Sequence, residues 1–379
     1  MGTKIIAFLL IIILLCVVGA VIYFGFIQKD APPTPVQQWG EKGNKPGQFL
    51  SPGGVCVDKN GILFVVDTGN NRFQKISAKG ETIALWGERG ADAGQFDKPE
   101  RIVLDNQGNL YISDCLNNRI QKYTPMGNFM KEMGGWGYDD GKFHQMLGMA
   151  FDSRNNLFVA DTYNHRIQKF SPSGKFINAW GTEGTTASQF RFPMDVAVDY
   201  QDNVYVADTQ NNRIQKFSNK GAFLMQWGIP GSKKGEFKEP VALAVDDDNN
   251  ILVIDKGNHR IQKFNSAGEF LLEWGKEGSK QGEFKNPSDL FITTEGDIYI
   301  ADTGNNRIIK FKKYKSLFGE AKKEQSPGLV PAQPKATLEI TPDAAETPEG
   351  TPTASPGAGN NGSGSSAPPA APEAPAKTM

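Results

Sequence analysis

The sequence is poor in the residues on which many metal centres and disulfide-stabilised folds depend. Its 379 residues include only three cysteines and three histidines. Three cysteines cannot build a disulfide framework, and three histidines leave little material for a histidine-rich metal centre. No HxxxH or CxxC spacing occurs, and neither a glycine-rich phosphate loop nor a serine nucleophile elbow stands out. We therefore expect no cofactor and no bound metal.

An excess of charge of one sign is also lacking. The chain carries 41 Lys and Arg against 42 Asp and Glu, a formal net charge of −1. Nucleic-acid binders usually concentrate basic residues on one face, so this balance argues against a nucleic-acid partner. The 39% of hydrophobic residues and 10% of aromatics are enough for a core, and the 42 glycines indicate many tight turns.

One long apolar run occurs, over the 23 residues from Ile5 to Ile27. As a helix it would rise about 34 Å, enough to cross a hydrocarbon core of about 30 Å. A cleaved signal peptide ending at Ala20 is the alternative, but its apolar region would span only about 7–15 residues. We expect an uncleaved membrane anchor over 5–27. Lys4 precedes it, which places residues 1–4 in the cytoplasm and the remainder outside the cell membrane.

The C-terminal part has a different composition. Residues 327–379 contain no aromatic residue and 11 of the 23 prolines. Such a segment cannot bury enough apolar surface to offset its conformational entropy. We predict a disordered tail over residues 320–379.

Between these ends the chain repeats with a constant period of 47 residues. The segment VADTYNHRIQKF (159–170) recurs at 65–76, 112–123, 206–217, 253–264 and 300–311. The repeated arginines are Arg72, Arg119, Arg166, Arg213, Arg260 and Arg307. A period of this length indicates an array of supersecondary units.

Each unit has the local pattern of short β-strands. In the fourth copy, runs of β-branched and aromatic residues cover Val196–Asp199, Val204–Asp208, Arg213–Phe217 and Phe223–Trp227. No segment of the repeats has a helical period of useful length. Six four-stranded sheets predict an all-β, six-bladed propeller, in which radial packing protects the strand edges.

The repeat resembles that of the NHL family. The matching pattern is W-G, then G-x-F-x-x-P, then an Asp, then V-A-D-T-x-N-x-R-I-Q-K-F, across residues 36–311. The resemblance implies a six-bladed propeller that acts as an interaction platform, and we assign it residues 36–319, after a linker over 28–35. Some relatives of the amidating lyase use a metal-centred propeller, and some members bind RNA.

The ends of the array predict how the ring closes. After Phe311 no Trp-Gly strand follows, but Val36–Gly40 contains a spare copy of that strand before the first unit. We expect it to complete the last blade, which gives a closed and monomeric propeller. The competing hypothesis is that Leu317 and Phe318 supply the strand.

Residues present in all six copies are most simply structural. Asp67 and Arg72, like their equivalents, bracket a tight turn in which Asp accepts backbone and Arg hydrogen bonds. The repeated Trp-Gly is interpreted as a packing anchor followed by a turn. Function is therefore sought where the repeat is broken.

The third copy departs most from the pattern. Met133 stands in the Trp position, Trp136 follows three residues later, and Met146 replaces a proline. Since loops carry binding residues more often than scaffolds do, we predict a binding surface here, neutral drift in exposed loops being the alternative. Its candidate residues in the inter-blade loop are Trp136, Tyr138, Asp139, Asp140 and His144. The family resemblance implies that the turns between second and third strands share this face, where they add Leu116, Tyr163, His165, Gln210, Lys256 and His259.

A second irregularity lies where the innermost strands begin. The repeat position two residues after the proline holds Arg101, Asp195 and Asp289, where other copies have Gly or Ala. These charges could bind a cation or a polar ligand at the axial mouth, or merely line a water-filled channel.

Two functions follow from these patterns. The first is a membrane-anchored extracytoplasmic scaffold that binds a protein, peptide or glycan through one loop-rich face. The alternative is a metal-dependent lyase or hydrolase with its site at the axial channel mouth. His165 and His259 occupy equivalent positions two units apart, so they cannot easily converge on one ion.

Overall fold

The two central strands of each blade form from two adjacent runs of mainly apolar residues in each repeat. In the fourth copy, Val204–Asp208 and Arg213–Phe217 pair in register and are buried along most of their length. The short 3-10 turn between them ends at Asn212, whose φ of 51° is left-handed. Asn tolerates this conformation better than most residues, which explains its recurrence at the turn.

A computed structural model describes residues 32–312, which form six antiparallel sheets of four strands each. The first blade contains β2 (Gly54–Val57), β3 (Leu63–Asp67), β4 (Arg72–Ile76) and β5 (Thr82–Trp86). The second contains β6 (Pro99–Leu104), β7 (Leu110–Asp114), β8 (Arg119–Tyr123) and β9 (Phe129–Gly134). The third contains β10 (Met149–Phe151), β11 (Leu157–Asp161), β12 (Arg166–Phe170) and β13 (Phe176–Trp180).

The remaining blades repeat the same order. The fourth contains β14 (Pro193–Val198), β15 (Val204–Asp208), β16 (Arg213–Phe217) and β17 (Phe223–Trp227). The fifth contains β18 (Pro240–Val245), β19 (Ile251–Asp255), β20 (Arg260–Phe264) and β21 (Phe270–Trp274). The sixth contains β22 (Asp289–Ile292), β23 (Ile298–Asp302), β24 (Arg307–Lys312) and β1 (Thr34–Trp39).

The closure of the ring by the N-terminal strand is confirmed. β1 pairs antiparallel with β24, from Thr34 opposite Lys312 to Trp39 opposite Ile308. The strand begins two residues before the predicted Val36. Because β1 occupies the outer edge of β24, Leu317 and Phe318 are not needed there, and both lie outside the described residues.

The core lies between neighbouring blades, where the repeated aromatics interlock. The Phe of the G-x-F-x-x-P pattern is fully buried in every copy, at Phe49, Phe96, Phe143, Phe190, Phe237 and Phe284. Trp86 packs against Gly127 in the next blade, where a Cβ atom would lie 2.0 Å from the indole ring. This contact requires glycine, which also adopts a φ of 83° there, and it supports the interpretation of the repeated Trp as a packing anchor.

The two faces of the ring differ in the connections they carry. We call the upper face the one with the turns between second and third strands and the loops between blades. Asn164 of a turn donates to the carbonyl of Gly137 of such a loop at 2.9 Å, so both lie on this face. Thr34 and Lys312 lie at the opposite, lower ends of their strands.

The predicted anchor (5–27) and tail (320–379) lie outside the described residues. Within residues 32–312, no helix has the length and apolar character needed to cross a bilayer.

Candidate functional site

The repeated polar residues form a scaffold beneath the upper face. In the third blade, Asp161 Oδ2 accepts hydrogen bonds from Arg166 Nε, Asn164 Nδ2 and Gln168 Nε2 at 2.8–2.9 Å. Its other oxygen accepts from the backbone N–H of His144 at 2.9 Å, which fixes the inter-blade loop to the turn. Five further Asp–Arg pairs repeat this geometry. The structural interpretation of these residues is therefore confirmed.

On this scaffold, aromatic rings from the third copy form a continuous surface. Trp136, Tyr138 and His144 enclose a triangle with ring centroids 5.7, 6.2 and 6.5 Å apart. His144 lies 5.1 Å from Tyr163, which extends the surface from the inter-blade loop to the neighbouring turn. Trp136 and Tyr138 are each 64% exposed and Tyr163 is 43% exposed. The predicted cluster is thus one surface of rings.

The surface continues through a residue that the sequence patterns did not single out. Phe192 belongs to the next inter-blade loop, and its ring centroid lies 5.0 Å from that of Tyr163 and 4.7 Å from that of His165. We call these six rings the aromatic row: Trp136, Tyr138, His144, Tyr163, Phe192 and His165.

Phe192 has an unusual backbone conformation. Its φ is 49°, in the left-handed region that is unfavourable for a bulky side chain. The equivalent positions have the same conformation and hold Ser51, Lys98, Gln145, Glu239 and Asn286. Alignment of the repeats reveals that Phe192 is the aromatic residue among these equivalent positions, but it does not reveal the contact with Tyr163. Because all six copies share this backbone conformation, it belongs to the scaffold, and only the aromatic side chain is specific to Phe192.

The loop holds Trp136 in a fixed position. Its backbone forms a bridge with Phe143, and the same bridge occurs in all six copies. The equivalent residues are Lys42, Arg89, Glu183, Pro230 and Glu277. The indole therefore replaces a polar residue or a proline on a backbone that the repeat already defines.

The predicted acidic residues lie beside this surface. The backbone carbonyl of Asp139 accepts from Arg166 Nη2 at 2.8 Å, while its carboxylate is exposed. Asp140 Oδ1 lies 4.0 Å from Arg166 Nη1, and its side chain is also exposed. Both carboxylates remain accessible to a ligand on the aromatic row.

The histidines of the turns have a structural role. His165 Nδ1 accepts a hydrogen bond from the backbone N–H of Phe192 at 3.2 Å, and His259 accepts from Asn286 in the same way. In four copies an Asn side chain makes this inter-blade bond. Burial lowers the pKa of His165, which favours the neutral ring that can accept the bond. His165 therefore contributes to the aromatic row mainly as a support.

The axial residues also lie near one another, and Arg101 contacts the carboxylate of Asp289. Arg101 Nε lies 3.6 Å from Asp289 Oδ1, and its Nη atoms donate to the carbonyls of Gly53, Val241 and Ser288 at 2.7–3.1 Å. These carbonyls belong to three different blades or their connecting loops. The guanidinium thus joins the inner strands and occupies the position that a cation would need beside the carboxylate of Asp289.

The two axial carboxyls are buried and connect blades. Asp195 accepts from the backbone N–H of Leu243 at 2.7 Å, and Asp289 accepts from Val55 at 2.9 Å. Burial raises the pKa of Asp195 to about 7 and that of Asp289 to about 6, although Arg101 opposes both shifts. Nearby carboxylates raise the pKa of Arg101 against the effect of its own burial. Among residues 32–312, these contacts indicate a structural lock at the axis, and the same three residues also line a cavity between the inner strands.

Comparison with known protein families agrees with this architecture. The model of the NHL repeat matches six stretches of the sequence, at 49–76, 96–123, 143–170, 190–217, 237–264 and 284–311. The chain belongs to the NHL-repeat family.

Solved structures share the fold of this NHL propeller at low sequence identity. Virginiamycin B lyase from Staphylococcus aureus is 17% identical with a TM-score of 0.53, over 74% of this chain and 88% of that one. A streptogramin B lyase is 15% identical with a TM-score of 0.55, over 73% and 98%. A protein of unknown function from Bacteroides thetaiotaomicron is 15% identical with a TM-score of 0.57, over 73% and 76%. These similarities show the fold alone. The search of curated proteins gave no match.

The aromatic row of the NHL propeller adjoins a depression at the axis of the upper face. Tyr163 and Phe192 line it together with Met194, and Arg101 forms part of its floor. Lys256 and Lys98 also line this depression. Lys98 Nζ lies 3.5 Å from Glu100 Oε1. A ligand on the row can therefore extend toward a polar depression at the centre of the ring.

Proposed function

We propose that this protein is a membrane-anchored, extracytoplasmic scaffold whose upper face binds a protein, peptide or glycan through the aromatic row. NHL propellers commonly serve as interaction scaffolds. The observation that carries the proposal is that six aromatic side chains form one continuous surface on a propeller whose blades otherwise repeat. The same positions in the other blades hold mainly small or polar residues.

The energetics of the row suit binding. Trp and Tyr bury large areas with little loss of conformational entropy, and they dominate the affinity of many interfaces. Trp136 and Tyr138 leave 64% of their surface uncovered, so the unbound protein exposes apolar area that a ligand can remove from water. The Phe143 bridge and the Asp161 network fix the loop before binding, which lowers the entropy lost on association.

The positions of the strand ends support an orientation in which the row points away from the membrane. Thr34 lies at the lower end of β1, and the six residues from 28 to 33 separate it from the proposed anchor. Six extended residues span about 20 Å, so the anchor would hold the lower face near the bilayer. The aromatic row is on the upper face and would remain open to ligands.

The proposal is tested with an array of extended peptides and oligosaccharides probed with the full chain in detergent. The variant Trp136→Ala/Tyr138→Ala is expected to lose the signals that the wild type gives. The control is Met126→Ala/Tyr200→Ala, which removes two residues of the lower face that are 71% and 68% exposed. Signals that persist in the first variant, or that vanish equally in both, would contradict the assignment of the upper face.

A further inference from the structure

A cavity lies on the propeller axis below Arg101, between the inner strands of the blades. Its upper end carries three charged side chains, Arg101, Asp195 and Asp289, which are 5–7% exposed. The other side chains that line it are apolar. Among residues 32–312, Arg101 is the one residue that lines both this cavity and the depression of the upper face. The guanidinium therefore separates the depression from this second space, which we call the axial cavity.

The axial cavity opens on the lower face. Each inner strand runs from the upper to the lower face, because an inter-blade loop precedes it and a hairpin of the lower face follows it. The three charged residues are buried, whereas the residues that end five of the inner strands are only half-buried. Those end residues all line the cavity: Leu104, Phe151, Val198, Val245 and Ile292. A ligand would therefore enter from the lower face and meet the charges last.

We propose that the axial cavity binds a single-chain aliphatic amine, with the alkyl chain between the inner strands and the ammonium group beside Asp195. The residues that line this cavity are all different from those of the aromatic row. The inference is therefore independent of the proposed function, and its failure would leave that function unaffected.

The dimensions of the cavity fit a short alkyl chain. Its volume is about 270 Å³. An apolar cavity of about 150 Å³ already accepts benzene. From Asp195 to Val198 the inner strand advances by three residues, or about 10 Å. With carbon–carbon bonds of about 1.5 Å, an extended chain of eight carbons spans about 9 Å. An octyl chain can therefore reach from the carboxyl of Asp195 to the lower mouth.

The charges at the closed end favour a cationic head group. One guanidinium faces two carboxyls, so the three side chains have a formal net charge of −1 when both carboxyls are ionised. The Nη atoms of Arg101 donate to three backbone carbonyls, and its Nε lies 3.6 Å from Asp289 Oδ1. Arg101 is thus engaged by the protein with Asp289 as its ion-pair partner. Within residues 32–312 Asp195 forms no ion pair, so it is the carboxyl that a ligand can neutralise.

The carboxyl of Asp195 is fixed at the upper end of the cavity. Its Oδ2 accepts a hydrogen bond from the backbone N–H of Leu243 at 2.7 Å. Its Oδ1 lies so close to Gly148 of the neighbouring blade that a Cβ atom there would overlap it. Burial raises the pKa of Asp195 to about 7, because the ionised form loses its hydration. An ammonium group beside it would supply the countercharge that compensates for this loss.

The test follows the methionine methyl groups of the full chain in phosphatidylcholine nanodiscs by ¹³C NMR. Of the nine methionines, Met149 lines the axial cavity, Met194 lines the upper depression and Met126 is exposed on the lower face. Substitution of each by Leu assigns its signal. Octylamine at pH 8, above the pKa of about 7 of Asp195, should shift the Met149 signal saturably and leave the other two in place. Empty nanodiscs establish the free concentration of each probe.

Probes that differ in one feature separate the contribution of the head group from that of the chain. Octan-1-ol and octanoate have the same chain length and should bind at least about tenfold more weakly, because neither brings a cation to Asp195. Butylamine keeps the ammonium group but should also bind at least about tenfold more weakly. Each buried methylene group improves the Kd by up to about fourfold.

Three variants locate the site. Asp195→Asn keeps an oxygen for the N–H of Leu243 and should weaken octylamine binding about tenfold while that of octan-1-ol is unchanged. The matched control Glu100→Gln removes a carboxylate that lines the upper depression, and it should change the binding of neither probe. Ala244→Leu fills part of the axial cavity without altering a charge and should weaken the binding of both. Unchanged Met126 and Met194 signals verify that each variant is folded.

A Met149 signal that no probe shifts would overturn the inference. Octanoate that bound as tightly as octylamine would also overturn it, because Arg101 rather than Asp195 would then select the head group. The same holds if Asp195→Asn binds octylamine like the wild type, or if the amine shifts Met194 in place of Met149. A saturable shift of Met149 that both Asp195→Asn and Ala244→Leu weaken would support the site.

Discussion

Replacement of Arg101 by Met should destabilise the propeller by an amount that depends on pH. The side chain is 5% exposed, donates to the carbonyls of Gly53, Val241 and Ser288, and faces Asp289. Removal of one partner from a buried ion pair costs about 3–5 kcal/mol, because the remaining charge is left without compensation. We expect a loss of this size in the free energy of unfolding at pH 8.

At pH 5 the loss should be smaller. The pKa of Asp195 is about 7 and that of Asp289 about 6 even with Arg101 in place, so both carboxyls are largely protonated at pH 5. Without Arg101 both pKa values rise further, and the native variant binds more protons than the unfolded chain between pH 5 and 8. Its stability therefore falls as pH rises. Each unit of additional pKa shift adds about 1.4 kcal/mol to the difference.

The assay is guanidinium unfolding of residues 32–312, followed by tryptophan fluorescence at pH 5 and pH 8. The double variant Arg101→Met/Asp289→Asn should recover part of the stability at pH 8, since it removes the unpaired charge. An equal loss at both pH values, or a loss below about 1 kcal/mol at pH 8, would refute the interpretation of Arg101 as an axial lock.

Three further predictions concern closure, the turns and the strained loop. Deletion of residues 32–40 removes β1 and the buried Trp39, which should lower the free energy of unfolding by at least about 4 kcal/mol. The Tm in calorimetry should then fall by about 10 °C, and an unchanged Tm would contradict closure of the ring by β1. His165→Asn should change the denaturation midpoint little, because the Asn side chain can still accept from the N–H of Phe192. His165→Leu removes this acceptor and should lower the free energy of unfolding by about 1–3 kcal/mol. Equal effects of the two substitutions would argue against the structural role of His165. Phe192→Asn should leave the free energy of unfolding unchanged or raise it by up to about 1 kcal/mol, because Asn tolerates the φ of 49°. The affinity for a ligand should fall about tenfold, because the aromatic side chain is lost. Reduced stability with unaltered affinity would contradict a binding role.

Most of the fold could be predicted because the repeat gives six independent observations of the same unit. The period of 47 residues defined the blades, and the displaced Trp-Gly strand defined the closure. The strand boundaries were correct where turn residues flank the strand, as at Val204–Asp208 and Arg213–Phe217. The inner strand β14 begins at Pro193, three residues before the prediction, because proline marks its first position rather than a preceding turn.

The candidate site was only partly predictable, because its contacts join different blades. The departures at Trp136 and Tyr163 were visible in the register, and the structure shows that they share one surface. The edge-to-face contact of Phe192 with Tyr163 depends on the curvature of the ring, which a linear pattern does not contain. The same holds for the hydrogen bonds from Arg101 to carbonyls of three other blades or their connecting loops. His165 was a candidate ligand contact, yet its ring nitrogen is used within the scaffold.

The measurement that tests the binding role most directly is calorimetric affinity for a ligand identified on the array. Truncation of central aromatic contacts commonly costs 2 kcal/mol or more for each residue, so Trp136→Ala/Tyr138→Ala should raise the Kd at least about 100-fold. The lower-face variant Met126→Ala/Tyr200→Ala should stay within about twofold of the wild type. A Kd that changed equally in both variants, or in neither, would contradict the proposal that the aromatic row is the binding surface.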